Sequence, residues 1–177
     1  MAAPTRPNGV GSFGKENFWF APASANPAAP TVAEITAVTG LELTGRMYVE
    51  GGGEFSQNVA RGTAPRRVAD TQIYERAGEV TVSITDLHIS LDPQAAAGSE
   101  AKAAYEELTD GVTGYLIRRQ GLDRNTDLEA GQFVDVIPVE FKKGIPTKTG
   151  NDAFGEFSAL VPTSITGEVN WNVAVAA

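Results

Sequence analysis

From Glu79 onward the apolar positions fall on alternate residues. In EVTVSITDLHISL, Val80, Val82 and Ile84 share one side of an extended chain, and Thr81, Ser83 and Thr85 share the other. A period of two predicts a half-buried antiparallel strand. The same signature returns in TGYLIRRQG (113–121), QFVDVIPVEFKKG (132–144), FGEFSALVP (154–162) and GEVNWNVAVA (167–176). In the second of these, Phe133, Asp135, Ile137, Val139 and Phe141 alternate with Val134, Val136, Pro138 and Glu140. Pro138 has no N–H to give a ladder, which predicts an edge or a bulge there. In the last segment Val169, Trp171, Val173 and Val175 oppose Glu168, Asn170 and Asn172. An earlier strand is predicted over LELTGRMYVE (41–50), closed by Gly51, Gly52 and Gly53.

The period changes to three and four only in SEAKAAYEELTDG, where Ala101, Ala104, Tyr105 and Leu108 share one side. This predicts a short amphipathic helix over about 99–109, capped by Ser99, favoured by Glu100 at its positive end and stopped by Gly111. PTVAEITAV adds at most one helical turn, with Thr31 capping before Glu34. Six or so strands, one helix and no βαβ rhythm predict a mainly β fold. Its form is an antiparallel sandwich or barrel with one flanking helix.

Two stretches break the pattern. Residues 1–38 are rich in Ala, Pro and Gly and read as an N-terminal arm, leaving 39–177 as the β domain. Inside the arm, ENFWFAPASANPAAPTVAEI sets Phe18, Trp19 and Phe20 beside a run unable to form a long helix or a central strand. Such an arm either folds back over its own core or buries its aromatics on a neighbour. On the second alternative, deleting residues 1–30 leaves a folded monomer that no longer polymerises. The other stretch, 50–78, reads as a long polar loop carrying Arg61, Arg66, Arg67 and Arg76 on an otherwise acidic chain. A connection of that length is usually functional or an interaction element.

Composition narrows the function. The chain has 177 residues, 42% of them apolar and 20% charged, enough for one domain with a real core. A net charge of −8 argues against a general nucleic-acid binder while leaving room for a surface that DNA slides past. With no cysteine, disulfides, iron–sulfur clusters and thiolate catalysis are excluded. No apolar run suits a signal peptide or a membrane span, so a soluble cytosolic product is expected.

Candidate chemistry is sparse. The single histidine, His88, alternates with Asp86 and Ser90 and reads as a surface or satisfied strand residue; zinc would need further ligands. GVGSFG lacks the Lys-Ser/Thr and the strand–helix context of a phosphate loop. EGGGE reads as a hinge or turn. The pairs Glu106/Glu107 and Asp123/Asp127 read as solvated charges. With no catalytic constellation and no cofactor or metal site, the chain is expected not to be an enzyme.

What remains is binding or assembly, and here a resemblance enters. FWFAPASANPAAPTVAEITAVTGLELTG, RRVADTQIYERAGEVTVSI, AYEELTDGVTGYLIRRQG, AGQFVDVIPVEFKKGIPTK and ITGEVNWNVAVAA, in that order, resemble the tail tube proteins (major tail proteins) of long-tailed, siphovirus-type bacteriophages. The resemblance implies a virion protein, assembled in the host cytoplasm, with a β-sandwich core. Its six-fold rings join inner strands into one barrel and stack into a tube through which DNA is ejected. It implies contacts with tape-measure, distal tail and tail terminator proteins, and no membrane. By that analogy Phe18, Trp19 and Phe20 anchor on an adjacent subunit, and Arg61, Arg66, Arg67 and Arg76 reach the next ring. Asp86, Glu140 and Glu168, taken to lie on polar strand faces, are candidate lumen acids that would repel the duplex. The competing readings are a tail terminator or connector, a capsid decoration protein, or a glycan-binding β-sandwich module.

Overall fold

The computed structural model describes residues 9–177 apart from Val38, Gly51 and Asp70. In chain order its elements are β1 (Glu16–Ala21), α1 (Val32–Ile35), β2 (Leu41–Glu42), β3 (Phe55–Thr63), β4 (Glu75–Ile84), β5 (Leu87–Ser90) and α2 (Glu100–Glu107). Then come β6 (Thr113–Gln120), β7 (Phe133–Phe141), β8 (Ile145–Lys148), β9 (Phe157–Val161), β10 (Thr163–Ile165) and β11 (Asn170–Ala174). All strand pairing is antiparallel. A main sheet runs β10-β7-β6-β1-β2, with β11 also on β7; a second runs β5-β9-β8; among the described residues β3 and β4 pair only with each other.

The main sheet is buried on both faces. Successive strand residues point to opposite sides, so Leu116 and Ile117 on β6, with Ile137 and Val136 on β7, feed two separate cores. On one side Phe20, Leu116, Ile137, Val139 and Phe141 meet Leu87, Ile89, Ala159 and Val161 of the second sheet, and Ala104 and Leu108 of α2 close the layer. On the other, Ala21, Ile117, Val134 and Val136 are covered by Ile35 of α1 and by Val175. Each large aliphatic side chain sealed in this way contributes about 1.5–3 kcal/mol of transfer free energy.

The expected β-sandwich with a flanking helix is what forms. The N-terminal segment departs from its reading as an appendage. Far from being unfit for a central strand, Glu16–Ala21 is β1, lying between β2 and β6 with Phe20 opposite Leu116 and Trp19 opposite Ile117. Phe20 is 4% exposed and meets Phe141 edge-on at 5.3 Å. Phe18 packs on the first core and Trp19 on the second. Gly114 makes the fit possible, since a Cβ there would lie 2.5 Å from Cε2 of Phe20. The strand stops at Pro22, and the polar run that follows is tied down by α1. There Thr31 Oγ1 accepts from Glu34 N, and Glu34 accepts from Thr31 N and from Ala25 N. These donors hold the Glu34 carboxyl below its usual range.

Other boundaries also move. The strand predicted over 41–50 breaks after Glu42, because the Leu43 carbonyl accepts from both Arg46 N and Met47 N and turns the chain. Gly52 is required where the backbone crosses β5: a Cβ there would lie 2.4 Å from His88 N. The long loop over 50–78 contains β3 and the start of β4. Val80, expected on a buried face, is 52% exposed, and only Val82 and Ile84 are half-buried. Pro138 sits in an interior strand. Its carbonyl accepts from Thr166 N, so its missing N–H faces the gap where β10 gives way to β11 along β7. Ser99 occupies the cap position of α2, but its carbonyl, not its hydroxyl, accepts the first helical bonds.

Removing residues 1–30 takes out an interior strand, so the truncated chain is expected to lose its folded state instead of giving an assembly-deficient monomer. Phe20→Ala is expected to cost about 3–5 kcal/mol. Urea unfolding of the point variant and circular dichroism of the truncation check both; a cooperatively folding truncation would refute the placement of β1. Glu34 has a lowered folded pKa, so its contribution is present above pH 4.5 and is lost as pH falls through the lower folded value. The stability gap between the native chain and Glu34→Gln is therefore expected to narrow below pH 4.5, read from urea unfolding across pH.

Candidate functional site

The β3–β4 ribbon is the element least supported by its own subunit. Paired residues share a face, so Phe55, Gln57 and Val59 lie with Ile84, Val82 and Val80, while Ser56 and Asn58 lie with Ser83 and Thr81. Ser56 Oγ and Ser83 Oγ are 2.8 Å apart. Between Val59↔Val80 and Arg61↔Ala77 the register shifts by one residue, a bulge carried by β4. Beyond it, Arg61 and Glu75 approach to 3.8 Å, both well exposed, an arrangement worth about 0–1 kcal/mol. Ala64 N donates to the Tyr74 carbonyl and closes the ribbon, and Val68, Ile73 and Tyr74 stand exposed at its tip.

Its root is built differently. Arg118 on β6 donates from Nε (3.0 Å) and Nη2 (2.8 Å) to Oδ2 of Asp135, its cross-strand partner on β7. Asp135 Oδ1 accepts from Asn172 N at 2.8 Å, holding Asn172 at φ 52 in the left-handed region where Asn is tolerated. The Arg118 guanidinium carbon lies 4.6 Å from the Phe55 ring centroid and 5.8 Å from that of Trp171, and the two rings meet edge-on at 5.9 Å. A cation between two aromatic rings and a carboxylate thus ties the first residue of β3 to the main sheet. Beside it Phe55, Ser56, Gln57, Val82 and Trp171 line an open cleft of ≈ 310 Å³. Farther along, β4 runs beside β10 without pairing to it.

Arg119, the next residue, points to the opposite face and is 1% exposed. It donates to Asn17 Oδ1, Gln132 Oε1 and the carbonyls of Asp123, Thr126 and Asp127, organising the β6–β7 connection. Burial pushes its guanidinium below the ordinary range, partly countered by Asp127.

The residues singled out from sequence do not converge on one site. Phe18, Trp19 and Phe20 belong to β1 and its two cores. Arg61 and Arg76 lie on the ribbon strands, and Arg66 and Arg67 are exposed in its tip. Of the three acids placed on strand faces, only Glu140 is in a strand, where Lys142 pairs with it. Asp86 is in the β4–β5 connection and Glu168 in the β10–β11 connection, both exposed. His88 is a satisfied structural residue: Nδ1 lies 3.1 Å from the Glu50 carbonyl and Nε2 2.9 Å from Ser158 Oγ. Its ring meets Tyr48 at 4.8 Å. Burial, then the hydrogen bond to Glu156 and that carboxylate's charge, raise the Tyr48 phenol to about 12. Among the described residues no three His, Asp or Glu side chains gather to hold a metal, and no helix is long and apolar enough to cross a membrane.

Sequence reasoning missed Arg118, Asp135 and Arg119. The available signal was a pair of adjacent arginines inside the apolar strand TGYLIRRQ, since adjacent strand residues cannot both face the same side. Asp135→Ala is expected to cost about 2 kcal/mol in urea unfolding, the scale of hydrogen bonds to a charged group. It is also expected to speed amide exchange in β3 and β4 selectively over β5 and β9. Unchanged ribbon exchange would show that the root does not hold the ribbon.

No curated protein matches the chain significantly. A family, however, takes in almost all of it: residues 3–177, spanning both sheets, both helices and the ribbon, match the family described as phage tail tube protein. The chain belongs to the phage tail tube proteins, structural components of the virion tail.

Proposed function

We propose that the chain is the repeating subunit of a hollow tube, six copies closing a ring and the rings stacking into the conduit through which DNA is ejected. The support is membership of the tail tube family across the chain, joined to a ribbon that its own subunit leaves largely uncovered. A two-stranded ribbon in water is marginally stable alone. Among the described residues, both outer edges of this one pair with no strand of its own subunit. Neighbouring copies would satisfy those edges and remove the hazard of an open sheet. Arg66 and Arg67, at the ribbon tip, are assigned to contacts between stacked rings, where cations on an acidic subunit set register more than raw affinity. The work is structural, with no catalytic step. Tape-measure, distal tail and terminator proteins are the partners at the ends and along the bore.

Electron microscopy of the purified protein at rising concentration tests the reading. Ring-striated hollow tubes with six-fold end views are the expected result. Single closed rings that never stack would instead indicate a terminator or connector, and rings of another order would refute the hexamer.

A further inference from the structure

We propose that in the assembled tube the β3–β4 ribbon turns its polar, cation-free face, Ser56, Asn58, Thr81 and Ser83, toward the DNA, and seals its apolar row at Val59 and Val80 against the next copy of the chain. The proposal rests on the tube reading and assigns the conduit wall to different residues from the acids considered first.

One support is charge. The chain is 20% charged, yet residues 55–60 and 80–85 contain no charged side chain although the ribbon is largely exposed, and alternation adds only acids, Glu54 and Glu79, at the two ends of this face. An outer surface serving solubility ordinarily mixes charges of both signs. A wall beside moving DNA has the opposite requirement. Cations there would hold phosphates by releasing counterions, while hydroxyls and amides offer only neutral hydrogen bonds that water replaces. The 2.8 Å contact between Ser56 and Ser83 occupies part of that capacity within the ribbon. The acids fit the role less well: Asp86 and Glu168 stand in separate connections, and Glu140 is paired with Lys142.

The second support is the opposite face. Its base is part of the subunit, since Phe55 and Ile84 pack against the first core. The same apolar row continues outward through Val82, half-buried, to Val80, 52% exposed, and so runs off the edge of its own support. A cover of the same chemistry in a homomeric tube is another copy. With that side sealed, the cation-free side is left facing water in the bore.

The absence of native cysteine makes the test direct. Val80→Cys and Thr81→Cys place single thiols on adjacent residues of opposite faces. Each full-length variant is mixed at low ratio with unsubstituted protein, assembled, and treated with a small maleimide or a long polyethylene-glycol maleimide. Both thiols are expected to react with both reagents in free subunits. In tubes, Thr81→Cys is expected to keep the small reagent and lose the bulky one, and Val80→Cys to lose both. Bulky labelling of Thr81→Cys in tubes puts that face outside, and loss of both reagents there puts it in a subunit contact. Undiminished labelling of Val80→Cys leaves the row uncovered. Each of those results overturns the proposal while the tube stands. Failure of the unsubstituted protein to form tubes would instead remove the tube reading and this proposal with it.

Discussion

Everything in this subunit depends on β6 and β7 having two buried sides. A sheet with one wet face needs only alternate residues to be apolar. Here Leu116 and Ile117, and Val136 and Ile137, are all sealed, so neither face can be given up without exposing a core. That requirement explains why a strand as aromatic as β1 is recruited into the sheet and why α1, a single turn, is capped from both directions to hold Ile35 over the second core. It also explains the fate of the two arginines. On a strand with no free face, Arg118 must find a carboxylate and Arg119 a ring of carbonyls and amides, and each becomes an organiser of the segment that supplies them.

How far the sequence discloses this is uneven, for physical reasons. The strands at 113–121, 132–144 and 154–162 and the helix near 99–109 were legible because local period and burial agree. The ending GEVNWNVAVA was legible too, though Asn172 bends away from regular extension to present its N–H to Asp135. The segment around Phe18 was misread because Ala and Pro just after it carry strong local signals, whereas its strand character is imposed by partners about a hundred residues away on β6. LELTGRMYVE misled in the reverse direction: its composition suits a strand, but the turn at Thr44-Gly45 brings Met47 back onto Ile89. The ribbon was legible on one strand only. Val80 to Ile84 alternate, but FSQNVARGT mixes polar and small residues, since neither of its faces is fully buried.

The candidate surface shows the same division. Its exposed parts, such as the arginine-bearing tip, could be marked from composition. Its root could not, because the Arg118–Asp135 pair joins two strands that nothing local connects, and Phe55 reaches them from a third. A cation enclosed by two rings and a carboxylate is stiff, whereas the ribbon it anchors has little else beneath it. Anchoring is concentrated at one end, and the rest of the ribbon stands exposed.

The one-residue shift between Val59 and Arg61 has an architectural consequence. A bulge sharpens the local twist and bends the strand that carries it. Root and tip of the ribbon are therefore not coplanar, and the length beyond Gly78 is aimed independently of the length that meets the subunit. Residues can be gained or lost past that point in cross-strand pairs without turning either face near the root. The reach of the tip is thus a property that can drift in length and direction while the ribbon's root and the sandwich keep their shape.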